Sequence, residues 1–265
     1  MVFEIRNKVA LITGGANGLG YNFAKALLSK GLKGVTLVDI KENDGILVEK
    51  ELNEIYGKDK ALFVKCDITN YAEFEEAFQR TIKKYHQLDI LANNAGVGFD
   101  GIWRKEIDVN IIGTINGFIL GMDHYLNKYK STNEGVIIAT SSTAGLGGYA
   151  PWPVYSATKF AITGMVKSWG CQFHYQRTGV RVVEVCPCAI ATDLLNTDAF
   201  SLSPLYEGSM ETIKNEVEQV QKPEHVAGEM VKMVEDAPNG SIWVVEAGKP
   251  AFEFSLPERE IFKKE

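Results

Sequence analysis

The chain belongs by sequence to the α/β class, as an open, doubly wound parallel sheet flanked by helices. Three observations predict this. Runs rich in β-branched residues alternate with longer helical stretches, most of the runs are near-continuously apolar through their middles, and a glycine-rich turn joins the first run to the first helical stretch. Continuous apolar runs suit parallel strands buried on both faces, and repeated β-α-β units with right-handed crossovers build an open sheet.

About seven strands are expected, at 8–13, 34–39, 61–66, 88–93, 135–140, 180–186 and 241–246. Helices are expected near 18–30, 43–56, 70–85, 104–128, 153–175 and 223–236. The stretch "TNYAEFEEAFQRTIKKY" (69–85) shows why: Thr69 or Asn70 can cap it, acids crowd its first turns and lysines close it. No linker, repeat or low-complexity segment interrupts the pattern, so residues 1–265 form one expected domain. The interval without strands supplies a substrate loop at about 188–222, and about 250–265 is a tail.

Bulk properties narrow the function. Of the 265 residues 45% are hydrophobic and 23% charged, with a net charge of -6. An acidic chain lacking a Lys/Arg cluster does not have the footprint of a nucleic-acid binder. The four cysteines have no disulfide-scaffold spacing. The N-terminus is too short and too charged for a signal peptide, and no apolar run is long enough to span a bilayer. A cytoplasmic protein that avoids membranes is the expectation.

The turn "TGGANGLG" (13–20) places Gly14, Gly18 and Gly20 between strand and helix, with Asn17 and Leu19 among them. Glycines there let backbone N–H groups approach a pyrophosphate at the helix N-terminus. Three glycines in a loop are a weak signal alone, and the position between strand and helix strengthens it. The second strand ends at Asp39, 19 residues after Gly20. A carboxylate there accepts hydrogen bonds from both adenosine ribose hydroxyls and repels a 2′-phosphate. At ~4 Å and an effective dielectric of ~20 the repulsion is roughly 4 kcal/mol. Neither Asn17 nor Ile40 offers a cation against it, and Lys41 does so only in part. NAD is favoured over NADP.

"PVYSATKFA" (153–161) sets Tyr155 and Lys159 four positions apart, on one face of a helix. Alone, that spacing describes a surface tyrosine beside a solvated lysine. A phenol beside a fixed cation is also a proton donor and acceptor.

These residues, with "CDIT" (66–69), "NNAG" (93–96), Asn110 in "DVNIIG" and Ser142 in "TSSTAG", occur in family-like order and spacing. From about residue 6 to 248 the chain resembles the short-chain dehydrogenase/reductases, a Rossmann-type fold. Within them it is most similar to the NAD-dependent branch that holds insect alcohol dehydrogenases and 15-hydroxyprostaglandin dehydrogenase. The resemblance implies that Tyr155 exchanges a proton with the substrate oxygen. Lys159 favours the phenolate and bonds the nicotinamide ribose, Ser142 holds the substrate oxygen, and Asn110 kinks its helix and holds a relay water. A free phenol titrates near ~10, so work near pH 7 needs roughly 4 kcal/mol of differential stabilisation.

It implies further that Asp67 meets the adenine amino group with Ile68 against the ring. Asn94, Ala95 and Gly96 lie along the cofactor while Asn93 steadies the sheet. Pro187, Ala189, Ile190 and Thr192 surround the nicotinamide, with Thr192 on its carboxamide. Cys188 departs from the family's usual glycine, which either narrows the pocket or changes a backbone angle. The C-x-C pair of Cys186 and Cys188 lacks neighbouring ligands, so no metal is expected.

Substrate walls are expected from Ser142, Thr143, Ala144, Tyr149, Trp152, Cys188, Leu194 and Leu195. Their apolar character either marks a hydrophobic alcohol or carbonyl substrate or reflects loop packing. Trp152 stands where the prostaglandin-oxidising branch carries glutamine, which argues against a literal prostaglandin assignment. The family pattern also implies a homodimer, with a tetramer as the alternative, through helices 104–128 and 153–175. The competing readings are an NADPH-dependent carbonyl reductase and a non-catalytic NAD-sensing or ligand-binding protein.

Overall fold

A computed structural model describes residues 2–98, 100–192, 208–213 and 219–257. All seven expected strands are present: β1 (Val9–Thr13), β2 (Gly34–Asp39), β3 (Ala61–Lys65), β4 (Ile90–Asn93), β5 (Gly135–Thr140), β6 (Val180–Pro187) and β7 (Ser241–Val245). They form one sheet in the order β3-β2-β1-β4-β5-β6-β7, with every neighbouring pair parallel. The chain winds outward from β1 to β3, then returns to place β4 against the other edge of β1. That reversal opens a crevice at the carboxyl ends of β1 and β4.

Each face of the sheet carries its own apolar layer, because side chains alternate along a strand. Ala10 and Ile12 of β1 join α1 (Gly18–Ser29), Leu52 of α2 (Glu42–Tyr56) and α9 (Pro223–Asp236) on one face. Val9 and Leu11 join α3 (Tyr71–Tyr85) and the helices before and after β5 on the other. Asn70 caps α3, its Oδ1 accepting from the Ala72 and Glu73 N–H groups, while its Nδ2 donates to Glu73 Oε1 at 2.7 Å.

Three expectations are corrected. The helix expected at 104–128 is a succession: α4 (Trp103–Ile107), a π-helical turn (Asp108–Gly113), α5 (Thr114–Ile119), a second π-helical turn (Leu120–Tyr125) and α6 (Leu126–Tyr129). The helix expected at 153–175 stops as α7 (Pro153–Trp169), and α8 (Gln172–Thr178) follows. Gly170 makes the break. A Cβ there would lie 2.6 Å from the Gly240 Cα, and its carbonyl accepts from Asn239 Nδ2 at 2.6 Å. Finally, the tail contributes an eighth strand, β8 (Phe252–Phe254), antiparallel to β7. Glu229 of α9 accepts the Ala251 N–H at 3.0 Å and so fixes its start.

Candidate active site

The crevice floor is assembled by one threonine. Thr13, the last residue of β1, accepts at its Oγ1 from both Asn94 N and Ala95 N at 3.0 Å and donates to Ala92 O. Asn94 ties in two strands, donating from Nδ2 to Thr13 O at 2.9 Å and accepting from Thr140 Oγ1 at 3.2 Å. The glycine turn packs on this floor. Gly14 has φ +65°, a left-handed backbone that suits glycine, and a Cβ there would sit 3.0 Å from Ala95 Cα. A Cβ on Gly20 would come within 2.2 Å of Gly14 O, so the close strand–helix approach requires its absence. Gly18 faces Thr192, whose Cγ2 lies 3.3 Å from the position a Cβ would take. The turn and the segment after β6 therefore meet.

Around this turn, Asn17 precedes α1 with an extended backbone and Leu19 is buried in the core. Asp39 closes β2 with its carboxylate accepting from Ala16 N at 3.1 Å and Lys41 N at 3.0 Å, and Ile40 beside it is exposed. Asp67 accepts from the N–H and Oγ1 of Thr69, an Asx turn, while Ile68 is buried. Asn93 is a sheet residue: buried, it donates to Thr114 O at 3.2 Å.

Asn110 lies inside the first π-helical turn and is buried. Its Oδ1 accepts from Val97 N at 2.9 Å, and its Nδ2 donates to Val97 O at 2.8 Å and to Thr158 Oγ1 at 3.0 Å. Widened helical turns of this kind recur where a side chain is re-aimed at a site. Asp100 holds the other end of the same loop. Its two carboxylate oxygens accept from Val154 N at 2.9 Å and Tyr155 N at 3.0 Å, supplying to α7 the cap that Trp152 at its N-terminus does not.

Tyr155 and Lys159 stand one helical turn apart, the Lys159 Nζ 5.5 Å from the phenol ring centroid. Lys159 is buried and donates to Thr140 O at 3.1 Å. Ser142 is near enough to lower the phenol, and its Oγ accepts from Ala144 N at 3.2 Å. A Cβ on Gly96 would lie 3.2 Å from Asn110 Oδ1 and 3.4 Å from Lys159 Nζ, so bare backbone lies against both polar groups.

The electrostatics set the resting state of this pair. Burial pushes the Tyr155 phenol up to about 12, outweighing the effect of Ser142, which lowers it. Burial also brings Lys159 down to about 8, against Cys186, Glu106 and Glu184, which hold it up. The chain by itself therefore keeps the phenol protonated, because desolvation of both groups exceeds the benefit of pairing them.

On the substrate side Tyr149 OH and Thr143 Oγ1 share a 2.6 Å hydrogen bond, and the Tyr149 ring centroid is 6.5 Å from that of Trp152. Ala144, Trp152 and Cys188 are buried. Cys188 N donates to Val245 O at 2.9 Å, and Cys188 is not among the residues of positive φ, so its side chain adds bulk without backbone strain. Pro187 ends β6 opposite Val245. The next residues are pinned to Gln221, which donates to Ala189 O, accepts from Ala191 N and bridges Ile190. Leu194 and Leu195 lie outside the described residues.

Sequence reasoning missed Thr13, Asp100, Thr158 and Glu184. Thr158 was open to view inside "YSATK" and Thr13 at the head of "TGGANGLG", while Asp100 and Glu184 have no local signature.

The class defined by this fold and crevice is an α/β protein of the doubly wound, switch-point type. A family model described as short chain dehydrogenase matches residues 8–199, and the chain belongs to that family. It is 34% identical over 250 residues to 15-hydroxyprostaglandin dehydrogenase [NAD(+)] of Homo sapiens, covering 93% of each chain. It is 30% identical over 245 residues to alcohol dehydrogenase 1 of Ceratitis capitata, covering 92% of this chain and 94% of that one. Among solved structures, 3-ketoacyl-(acyl-carrier-protein) reductase from Brucella melitensis complexed with NADH superposes with a TM-score of 0.76 at 25% identity, covering 92% of this chain and 98% of that chain.

Proposed function

We propose that the protein is an NAD-dependent dehydrogenase of hydrophobic alcohols. The observation that carries the reading is the Ser142–Tyr155–Lys159 arrangement beside the bare backbone of Gly96. The cradle suits a dinucleotide: Gly14, Gly18 and Gly20 leave backbone uncovered at the N-terminus of α1, and Asp39 offers a carboxylate to a ribose. Asp67, Ile68, Asn94 and Ala95 line the route between those ends, and Ala189, Ile190 and Thr192 close it. The names of the relatives support NAD as the partner.

NAD supplies the hydride acceptor. The chain's own residues handle the oxygen and the proton. Ser142 holds the substrate hydroxyl, and Tyr155 takes its proton as the carbonyl forms. Lys159 stabilises the phenolate that accepts this proton, and the positive charge of the oxidised coenzyme would lower the phenol further. Asn110, by fixing Val97 and Thr158, keeps the floor and the tyrosine helix in register. Ala144, Trp152, Tyr149 and Cys188 give an apolar wall with few polar groups, which favours an aliphatic, terpenoid, prostanoid or steroid-like alcohol. Ile111, Ile112, Ile115 and Ile119 keep exposed surface on the helices that would pair in a homodimer.

Incubation with NAD⁺ and a panel of apolar alcohols should produce NADH, and Tyr155→Phe should abolish it while coenzyme affinity and fold persist. NAD⁺ binding without turnover across the panel would favour a sensor. Asp39→Ala should raise NADP affinity relative to NAD; no change in preference would support the carbonyl-reductase reading with NADPH.

A further inference from the structure

Glu184 is a fully buried carboxyl group in β6, within a strand otherwise made chiefly of valines. Its contacts are all neighbours of the site. Oε1 accepts from Thr163 Oγ1 at 2.6 Å, one turn along α7 from Lys159. It accepts also from Cys186 Sγ at 3.3 Å, the residue before Pro187. Ser141, adjacent to Ser142, donates from Oγ to the Lys159 carbonyl oxygen at 3.1 Å, and Thr163 Oγ1 lies 3.4 Å from that same oxygen. The second oxygen, Oε2, is buried with no hydrogen-bond partner among the described residues.

A carboxyl group buried this way is costly, and an apolar side chain of similar volume would pack the strand more cheaply. Something must offset the cost. Lys159 has no carboxylate within ion-pair distance among the described residues, and its amine is buried against a carbonyl.

We propose that Glu184 is a positioning residue for the proton-transfer pair: its carboxylate sustains the positive charge on Lys159 through the interior and, through Thr163, fixes the turn of α7 that carries it. The inference rests on the reading of Tyr155 and Lys159 as the working pair. Three groups act on Lys159 to hold its proton, in descending order Cys186 from β6, Glu106 from α4 and Glu184 from β6. Burial raises the Cys186 thiol well above its ordinary range, which keeps it neutral near pH 7. That leaves the two carboxyl groups. Lys159 acts reciprocally on Glu184, lowering a carboxyl that burial raises.

The test is Glu184→Gln, which keeps the shape and removes the charge. With ¹⁵N-labelled lysine and Lys159→Met for assignment, the Lys159 Nζ resonance is followed against pH in the full chain. The expected result is a midpoint lower by about one pH unit, with NAD⁺ still bound. Alcohol oxidation near neutral pH should fall by about twofold in kcat, with little change in KM, and the deficit should approach about tenfold as pH rises above about 8. An unchanged midpoint would overturn the proposal, even if thermal stability fell. Should the glutamine variant fail to fold, Thr163→Val removes the donor to Oε1 and weakens the ionised form; a smaller downward shift is expected, and none would be equally fatal. A shifted midpoint in a protein that oxidises no alcohol would count against the enzymatic reading and leave the charge coupling standing.

Discussion

Asn110 donates to Thr158 Oγ1 at 3.0 Å, and that hydroxyl donates in turn to Tyr155 O at 2.8 Å. A residue in the π-helical turn thereby reaches the backbone of the tyrosine through one hydroxyl. Asn110→Ala would strand the Val97 N–H and carbonyl as well as Thr158, at a cost of about 2 kcal/mol in chemical denaturation. Thr158→Val breaks only the link to α7 and should cost about 1 kcal/mol. Both should lower kcat, the alanine variant more, since it also frees the loop over Gly96. Equal kcat in wild type and Thr158→Val would show that the link carries no positioning.

Lys159 binds its proton less readily in the folded chain, at about 8, than at the ordinary 10.5. Between those values the unfolded chain holds more protons, so stability rises with pH across that window. Lys159→Met should therefore be more stable than wild type near pH 7, by about 3 kcal/mol, with the gap closing as pH passes from about 8 toward 10.5. Tyr155 acts oppositely at higher pH, since its phenol stays protonated to about 12 when folded against 10.0 ordinarily. Stability should decline above pH 10 in both proteins. Urea titrations across this range check both slopes, and the methionine variant should have lost its turnover.

The sheet was legible because its strands are mostly apolar on both faces, a pattern that depends on local sequence alone. The glycine turn, Asp39, Ser142, Tyr155 and Lys159 were visible because they form short motifs. The break at Gly170 was not, since it is made by backbone 70 residues later at Gly240. Asp100 was hidden for the same reason: an aspartate in a loop looks like a turn former, and its role appears only when α7 is brought to it. The π-helical turns keep a helical pattern of apolar residues and so read as plain helix. Burial also decided the titration of Tyr155, and a sequence gives spacing but not depth.

Two glycines of the crevice should respond differently to a methyl group. At Gly20 the added carbon meets the Gly14 carbonyl oxygen at 2.2 Å, a backbone atom that cannot swing aside. Gly20→Ala should cost about 1–3 kcal/mol, as overpacking does, and lower the melting temperature. At Gly96 the nearest atoms are side-chain tips, Asn110 Oδ1 at 3.2 Å and Lys159 Nζ at 3.4 Å. Gly96→Ala should keep its melting temperature within a few degrees and lose NAD⁺ affinity. Calorimetry on both variants, with and without coenzyme, separates the two effects.

Glu229 links α9 to β8, and its chemistry sets a different pH window. Burial raises its carboxyl, but the Lys232 Nζ at 2.6 Å, the Ala251 N–H and the charge of His225 together bring it below the ordinary 4.5. A carboxyl lowered on folding stabilises the protein above its unfolded value, and that contribution disappears as the pH falls through the folded one. Glu229→Ala should therefore cost about 1 kcal/mol at neutral pH, with the difference from wild type shrinking below pH 4.5. Amide exchange over residues 251–254 should accelerate in the variant, because the Ala251 N–H loses its acceptor next to β8. Unchanged exchange there, with stability reduced all the same, would place the effect of Glu229 within α9 rather than at the strand.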